Sequence, residues 1–203
     1  MKTRISTLLT LTAGLFVSGV AWGDVSGIVG DCNGCHGDGG VSQWADMPTI
    51  AGLPEFTQGD ALYFFRDEER PCSESAYRQG DTSRPATTMC AVTADLSDDQ
   101  IDELAAHYSA MDFVPAKQAF DAALASAGKA IHDAKCEKCH SDGGSNAADE
   151  VSILAGQQMG YLEATFAEYK SGAREQDGSM EEAMNSLSDD DVKALLNFYA
   201  SQQ

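Results

Sequence analysis

The sequence has few basic residues: 13 Lys and Arg stand against 32 Asp and Glu, a formal net charge of −19. A surface this acidic repels nucleic-acid phosphates and anionic lipid headgroups. We therefore expect no nucleic-acid partner. The charge favours partners with a basic docking surface, although the same acidity is typical of proteins from saline habitats.

Apolar runs long enough to cross a bilayer comfortably are also missing. The most apolar run, residues 8–20, follows two basic residues and precedes small residues that end at Gly23. This order is typical of a cleaved signal peptide, here 1–23; an uncleaved anchor is the alternative. We expect a mature chain that begins at Asp24, lies in the periplasm and does not insert into the membrane.

The sustained apolar–polar alternation of β-strands is absent as well. Apolar residues at i, i+3, i+4 and i+7 instead predict an amphipathic helix after each of two Leu-Ser-Asp-Asp sequences, which begin at Leu96 and Leu187. Further helices are expected near 60–69, 117–135 and 160–170. The predicted fold class is all-α.

Cysteine is scarce, and four of the six cysteines fall in two copies of Cys-x-x-Cys-His, at 32–36 and 136–140. Two thiols at this spacing reach both vinyl groups on one porphyrin edge, and the next His lies under the iron. The pattern predicts two covalently bound haem c groups. A redox dithiol and a zinc site are the alternatives. We expect attachment through Cys32, Cys35, Cys136 and Cys139, and ligation of the irons by His36 and His140.

The two halves of the sequence repeat one order of motifs. The Cys-x-x-Cys-His pattern and an Ala-Gly pair recur at an offset of 104 residues, and the Leu-Ser-Asp-Asp sequence recurs at an offset of 91. Such order indicates two copies of one domain. We expect domains at 24–112 and 113–203, joined by a short linker near Pro115, so that they pack against each other.

The sixth ligand of each iron decides between electron transfer and chemistry on a bound molecule. Met89 and Met180 stand at matching positions, seven residues before the Leu that opens the last helix of each repeat. They are the expected ligands, with Met184 as the rival for the second iron. His107 and His132 have no counterpart in the other repeat, and we expect surface or capping roles for both.

The remaining cysteines, Cys72 and Cys90, lie in or beside 13 extra residues that the first repeat carries between Gly52 and Met89. Thiols exported to an oxidising compartment form disulfides. We predict a Cys72–Cys90 disulfide that ties down the longer loop. A reactive dithiol is the alternative.

These motifs resemble dihaem class I cytochromes c: the cytochrome c4 type, and the dihaem subunit of sulfide-oxidising flavocytochrome c. The resemblance rests on the two haem patterns, on residues 48–52 and 153–157, on the Met-to-Leu-Ser-Asp-Asp spacing and on residues 199–203. It covers essentially the whole mature chain. It implies two haem domains related by a pseudo-twofold axis.

The chain departs from the family pattern at one position that bears on haem ligation. The resemblance implies that a Pro offers its carbonyl to the ring N–H of the haem His. Pro48 fits this role, but Ser152 stands at the equivalent position of the second repeat.

The expected function is electron transport between redox proteins by a periplasmic dihaem cytochrome c, and not catalysis. Two alternatives remain. In the first, the chain is the electron-accepting subunit of a flavoprotein sulfide dehydrogenase. In the second, it is a haem enzyme with one open iron. The expected partners are redox proteins with a basic docking surface, or a flavoprotein subunit.

Overall fold

The structure, a computed structural model, describes residues 25–203, so the expected signal peptide lies outside the described residues. Within that range the chain is helical, and its only β-type pairing is an isolated antiparallel bridge between Ser75 and Thr87. The all-α prediction is confirmed. None of the helices between residues 25 and 203 is long and apolar enough to cross a membrane.

The helices follow the order of the two repeats. They are α1 Ser26–His36, α2 Glu55–Arg66, α3 Met89–Thr93, α4 Asp98–Ser109, α5 Ala122–Lys135, α6 Ser141–Gly144, α7 Met159–Lys170, α8 Gly178–Asn185 and α9 Asp189–Ala200. Single 3-10 turns occupy Asp38–Gly40 and Ala147–Asp149.

Two helix starts differ from the sequence prediction for local reasons. Helix α2 begins five residues early, directly after Pro54, whose φ of −56° suits a helix entry. Helix α5 begins five residues late, because the Asp121 carboxylate accepts hydrogen bonds from the N–H groups of Ala123 and Leu124.

The last helix of each repeat begins with a capping box. Ser97 and Gln100 exchange side-chain-to-backbone hydrogen bonds at the start of α4, and Ser188 and Asp191 do so at α9. Such boxes satisfy N–H groups that a helix start leaves without partners. The two helices therefore begin at equivalent positions and present equivalent apolar faces.

Each repeat has its own hydrophobic core. Leu104 and Tyr108 of α4 are buried in the first core, and Leu195 and Tyr199 of α9 are buried in the second. Helices α5 and α9 cross closely at Gly128, where an added Cβ would collide with the carbonyl group of Ala194. Only glycine permits this approach of the two backbones.

The two repeats pack directly against each other, as the short linker predicted. The Gln157 side chain bridges both backbone groups of Thr49, accepting from its N–H and donating to its carbonyl, each at 2.9 Å. The N–H of Tyr161 donates to the carbonyl of Ala45 at 2.8 Å, and the Thr57 hydroxyl donates to that of Glu150 at 2.9 Å. Because Thr57 and Tyr161 are 104 residues apart, these contacts follow an approximate twofold relation.

The predicted disulfide is confirmed: Cys72 and Cys90 are bonded, with their Cα atoms 5.8 Å apart. It closes the loop that holds the extra residues of the first repeat. Inside it, the backbones of Ser75 and Thr87 exchange two hydrogen bonds of 2.7 and 2.8 Å. We call residues 75–87 the strap.

Candidate functional site

The first Cys-x-x-Cys-His pattern lies at the end of helix α1. Cys32 and Cys35 are one helical turn apart and partly exposed, and His36 is buried. Residues three apart lie on one face of a helix. The helix therefore presents both thiols and the imidazole together, as attachment to one porphyrin edge requires.

The second pattern has a different local structure. Helix α5 ends at Lys135, and the residues from Cys136 to Cys139 form turns. The N–H groups of Cys139 and His140 donate to the carbonyl of Cys136 at 3.1 and 2.9 Å. These bonds bend the chain into a compact loop, so the same five-residue pattern is set by a turn here and by a helix in the first repeat.

Both histidines are held by a backbone carbonyl. The Nδ1 atom of His36 lies 3.0 Å from the Pro48 carbonyl oxygen, and that of His140 lies 3.2 Å from the Ser152 carbonyl oxygen. Replacing Pro with Ser thus keeps the contact, because the carbonyl and not the side chain is the acceptor. In each case Nδ1 carries the proton, which leaves Nε2 free to bind a metal.

Burial lowers the pKa of both imidazoles below the ordinary histidine value, although the carbonyl of Pro48 or Ser152 acts in the opposite direction. Neutral imidazole is the form that ligates metals. Two thiols, one neutral imidazole with Nε2 free and an apolar core beside them fit a covalently attached haem in each repeat.

The expected methionine ligands occupy matching places. Met89 opens α3 and Met180 lies in α8, and both are partly exposed. The rival Met184 is 2% exposed and packs in the second core with residues of α7 and α9. Its position is that of an ordinary core side chain.

The alternative chemistries lack support in the geometry. No cluster of three or more His, Cys, Asp or Glu side chains occurs in residues 25–203, so the two patterns do not combine into the zinc site considered above. Burial raises the pKa of the Cys32 thiol to about 11, even though the nearby Tyr108 hydroxyl acts in the opposite direction. A reactive dithiol needs a lowered thiol pKa.

A tyrosine on the last helix anchors each pattern, by different means. In the first repeat, the Tyr108 hydroxyl donates to the side-chain oxygen of Asn33 at 2.9 Å. In the second, His132 stands between the equivalent residues: its Nδ1 lies 3.0 Å from the Tyr199 hydroxyl and its Nε2 lies 2.8 Å from the Glu137 carboxylate. In the second repeat the histidine thus joins the tyrosine to the attachment loop.

The expectation of a surface or capping role for His132 is wrong, since its side chain is fully buried. Two hydrogen bonds and edge contact with the Tyr199 ring satisfy it there. His107 is partly buried, and its Nε2 has no hydrogen-bond partner among the described residues. Sequence periodicity does not reveal such a partnership, because His132 replaces an apolar Ile28 at the matching position.

Replacing His132 with Ile, the residue of the first repeat, should destabilise the protein by about 1–3 kcal/mol, because the buried Tyr199 hydroxyl loses its partner. Guanidinium unfolding of the holoprotein measures this, with His107→Ala as a control expected to change little.

Donation from His132 lowers the pKa of Glu137 below 4.5. The stabilisation that the His132–Glu137 hydrogen bond contributes is therefore complete above that pH, and it is lost as pH falls through the lowered pKa of Glu137. Equal stability of His132→Ile and wild type would contradict the anchoring role.

One contact between the repeats was not foreseen from the sequence. The buried Arg70 guanidinium stacks over Phe65, with 4.4 Å to the ring centroid, and donates to the Tyr161 hydroxyl at 3.1 Å. Burial raises the pKa of Tyr161, but the charges of Arg70 and Arg174 outweigh it and bring the pKa to about 8. Arg70 matches Arg174 of the second repeat at the offset of 104 residues, and the Arg174 guanidinium lies over the Tyr169 ring in the equivalent way, 4.6 Å from the centroid.

Comparisons with known proteins agree with this geometry. The family model described as subunit III of cbb3-type cytochrome c oxidase matches residues 123–198. The thiosulfate dehydrogenase electron acceptor of Thiomonas intermedia is 27% identical over 211 residues, which covers 98% of this chain and 91% of that protein. Cytochrome c4 of Azotobacter vinelandii is 26% identical over 213 residues and 98% of each chain. The crystal structure of reduced cytochrome c4 from Pseudomonas stutzeri aligns with a TM-score of 0.70 at 24% identity, over 89% of this chain and all of that one.

The fold is therefore that of tandem class I cytochromes c. The chain carries a cytochrome c family domain and is homologous to cytochrome c4 and to the thiosulfate dehydrogenase electron acceptor. Homology to these cytochromes implies covalent haem c.

Proposed function

We propose that this chain is a periplasmic dihaem cytochrome c that carries electrons one at a time between redox proteins. The observation that carries the proposal is the pairing of two equivalent sites. Each has two thiols at the attachment spacing, a carbonyl-held imidazole, and a methionine at the matching place before the last helix. Homology to cytochrome c4 supports it.

The residues have distinct roles in this proposal. Cys32 and Cys35 would hold one haem, and Cys136 and Cys139 the other. His36 and His140 would ligate the irons through Nε2, and Met89 and Met180 would ligate them from the opposite face. When bound, haem c supplies a one-electron couple between Fe(II) and Fe(III).

The protein around each site would keep that couple free of side reactions. Carbonyl contacts at Nδ1 fix each imidazole ring, the buried cores exclude water, and a thioether stabilises the reduced iron. With a histidine and a methionine both ligating, each iron would have no position left for a substrate. The protein therefore transfers electrons and is not itself an enzyme.

Export explains how the haems are attached and where the protein works. Residues 1–23 have the order of a signal peptide, and the Cys72–Cys90 disulfide fits an oxidising compartment. We therefore place the mature chain in the periplasm.

A second candidate concerns the donor. A relative from Thiomonas intermedia is named a thiosulfate dehydrogenase electron acceptor, and it aligns with 98% of this chain. This favours a thiosulfate dehydrogenase as the electron donor over a flavoprotein sulfide dehydrogenase. The same two haem sites serve either donor.

The proposed function is tested directly by asking whether small ligands can bind the irons. Carbon monoxide added to the reduced protein, and cyanide added to the oxidised protein, should bind slowly or not at all, because His and Met occupy both axial positions. Optical spectra recorded against time measure the binding. Rapid binding of one equivalent would instead indicate an open iron and an enzyme.

A further inference from the structure

The strap lies across the first attachment pattern. The N–H groups of Arg78 and Gln79 donate to the carbonyl of Gly34 at 2.8 and 3.1 Å. The Tyr77 ring, 9% exposed, packs so closely that a Cβ on Gly34 would lie 2.9 Å from it. The Cys35 sulfur lies 3.8 Å from the Ala76 carbonyl oxygen. The strap thus covers the second cysteine of the pattern and the residue before it.

Side chains of the strap bind three aspartates of the first repeat. Arg84 pairs with Asp31 at 2.6 Å, and its guanidinium lies over the Tyr77 ring at 3.9 Å from the centroid. Arg78 pairs with Asp46 at 2.6 Å. The Gln79 amide donates to Asp38 at 2.7 Å. Together with the disulfide, these contacts hold the strap in one place.

The second pattern has no such cover. Lys138 and Cys139, which stand where the first repeat has Gly34 and Cys35, are both exposed. No hydrogen bond from outside the pattern reaches either residue within the described part of the chain. In the first repeat the strap leaves no room for a side chain at Gly34. A lysine can stand at the matching position, 138, only because the second pattern is not covered.

The attachment cysteines would bind one edge of the porphyrin. A segment that covers such a cysteine would therefore also shield that edge from solvent. We propose that the strap shields the first haem at its attachment edge, and that redox protein partners exchange electrons with the chain at the second attachment edge, beside Lys138 and Cys139. Electrons then reach and leave the first haem through the second haem. This rests on the proposed dihaem function and assigns its point of exchange.

The charge distribution makes the proposal easy to test. Residues 24–112 carry 17 acidic side chains against four basic ones, while residues 113–203 carry 15 against seven. Attraction alone would draw a cationic probe to the first repeat. Shielding predicts the opposite preference, so a cation separates the two effects.

The first measurement uses hexaamminechromium(III), an inert paramagnetic cation, with the fully reduced dihaem protein. Proton NMR signals of the thioether bridges are assigned through the β-protons of Cys35 and Cys139. We expect the cation to enhance relaxation at Cys139 several-fold more than at Cys35. Equal enhancement, or a larger effect at Cys35, would overturn the shielding.

The second measurement removes the strap. Because Ser75 and Thr87 already pair in antiparallel fashion, Asn-Gly in place of residues 76–86 should close a tight hairpin and leave the disulfide intact. Relaxation at Cys35 should then rise to the level at Cys139. Tyr77→Ala, which opens the cover while the backbone stays in place, should raise it in part, and Thr82→Ala on the exposed strap should leave it unchanged.

Electron exchange is followed by mixing the reduced proteins with tris(phenanthroline)cobalt(III), which accepts one electron from an Fe(II) haem to give Fe(III) and cobalt(II). The strapless protein should react at least about twice as fast as wild type or Thr82→Ala, because two open edges replace one. An unchanged rate in a folded strapless protein would overturn the proposal. A mass for only one haem would instead contradict the dihaem function itself.

Discussion

Replacing Met180 with Leu should abolish the red absorption band of Met-ligated ferric haem at one of the two irons, and so halve its intensity. A leucine has no lone pair to give the iron, and the ligand field at that haem weakens. The reduction potential of that haem should fall by roughly 0.1 V, within the range of about 0.8 V over which axial ligands act. Optical spectra and a spectroelectrochemical titration measure both effects.

Two matched variants sharpen this prediction. Met89→Leu should remove the other half of the band, because Met89 stands at the matching place in the first repeat. Met184→Leu should leave the band intact, since Met184 is packed in the second core, and should cost less than about 1.5 kcal/mol as a volume-conserving change. If Met184→Leu halves the band and Met180→Leu does not, the ligand assignment in the second repeat is wrong.

Loss of the Cys72–Cys90 disulfide, in a double Cys→Ser variant, should lower the free energy of unfolding by about 3 kcal/mol, the chain-entropy value for a loop of this size. The bridge spans 18 residues and confines the strap and Arg70, whose carbonyl oxygen lies 3.5 Å from the Cys72 sulfur. Released, the strap should loosen from the first attachment pattern. Guanidinium unfolding of the holoprotein measures the loss.

The effect should be confined to the first repeat. Cys90 directly follows Met89, so the Met-ligand band of the first haem should become more sensitive to heating, while the band that depends on Met180 should keep its wild-type melting. Wild type whose bridge has been reduced and its two thiols alkylated, and whose haems have then been reoxidised with ferricyanide, is the control, and it should match the variant. Stability equal to that of oxidised wild type would show that the bridge constrains nothing.

Much of this molecule could be predicted from local sequence, because its local signals are strong. The repeated attachment patterns, the Ser97 and Ser188 caps and the cysteine pair each depend on residues close in the chain or unique in type. The all-α class follows from periodicity in the same way. Such features need no knowledge of how distant segments meet.

What the sequence did not reveal depends on distant contacts. The burial of His132 depends on Tyr199 and on Glu137, and a histidine at an apolar position gives no sign of its partners. The Arg70–Tyr161 contact joins two repeats at positions that share no motif. The strap's cover of Gly34 arises in an insertion, where comparison between the repeats offers no template.

The central claim, two haems held covalently by one chain, is tested most directly by the mass of the purified, denatured protein. The account predicts a mature polypeptide that begins near Asp24 and is heavier by two haem groups, both retained through acid–acetone extraction. Cys136→Ser with Cys139→Ser should retain one. A wild-type mass that shows a single haem, or haem that extraction removes, would contradict the account.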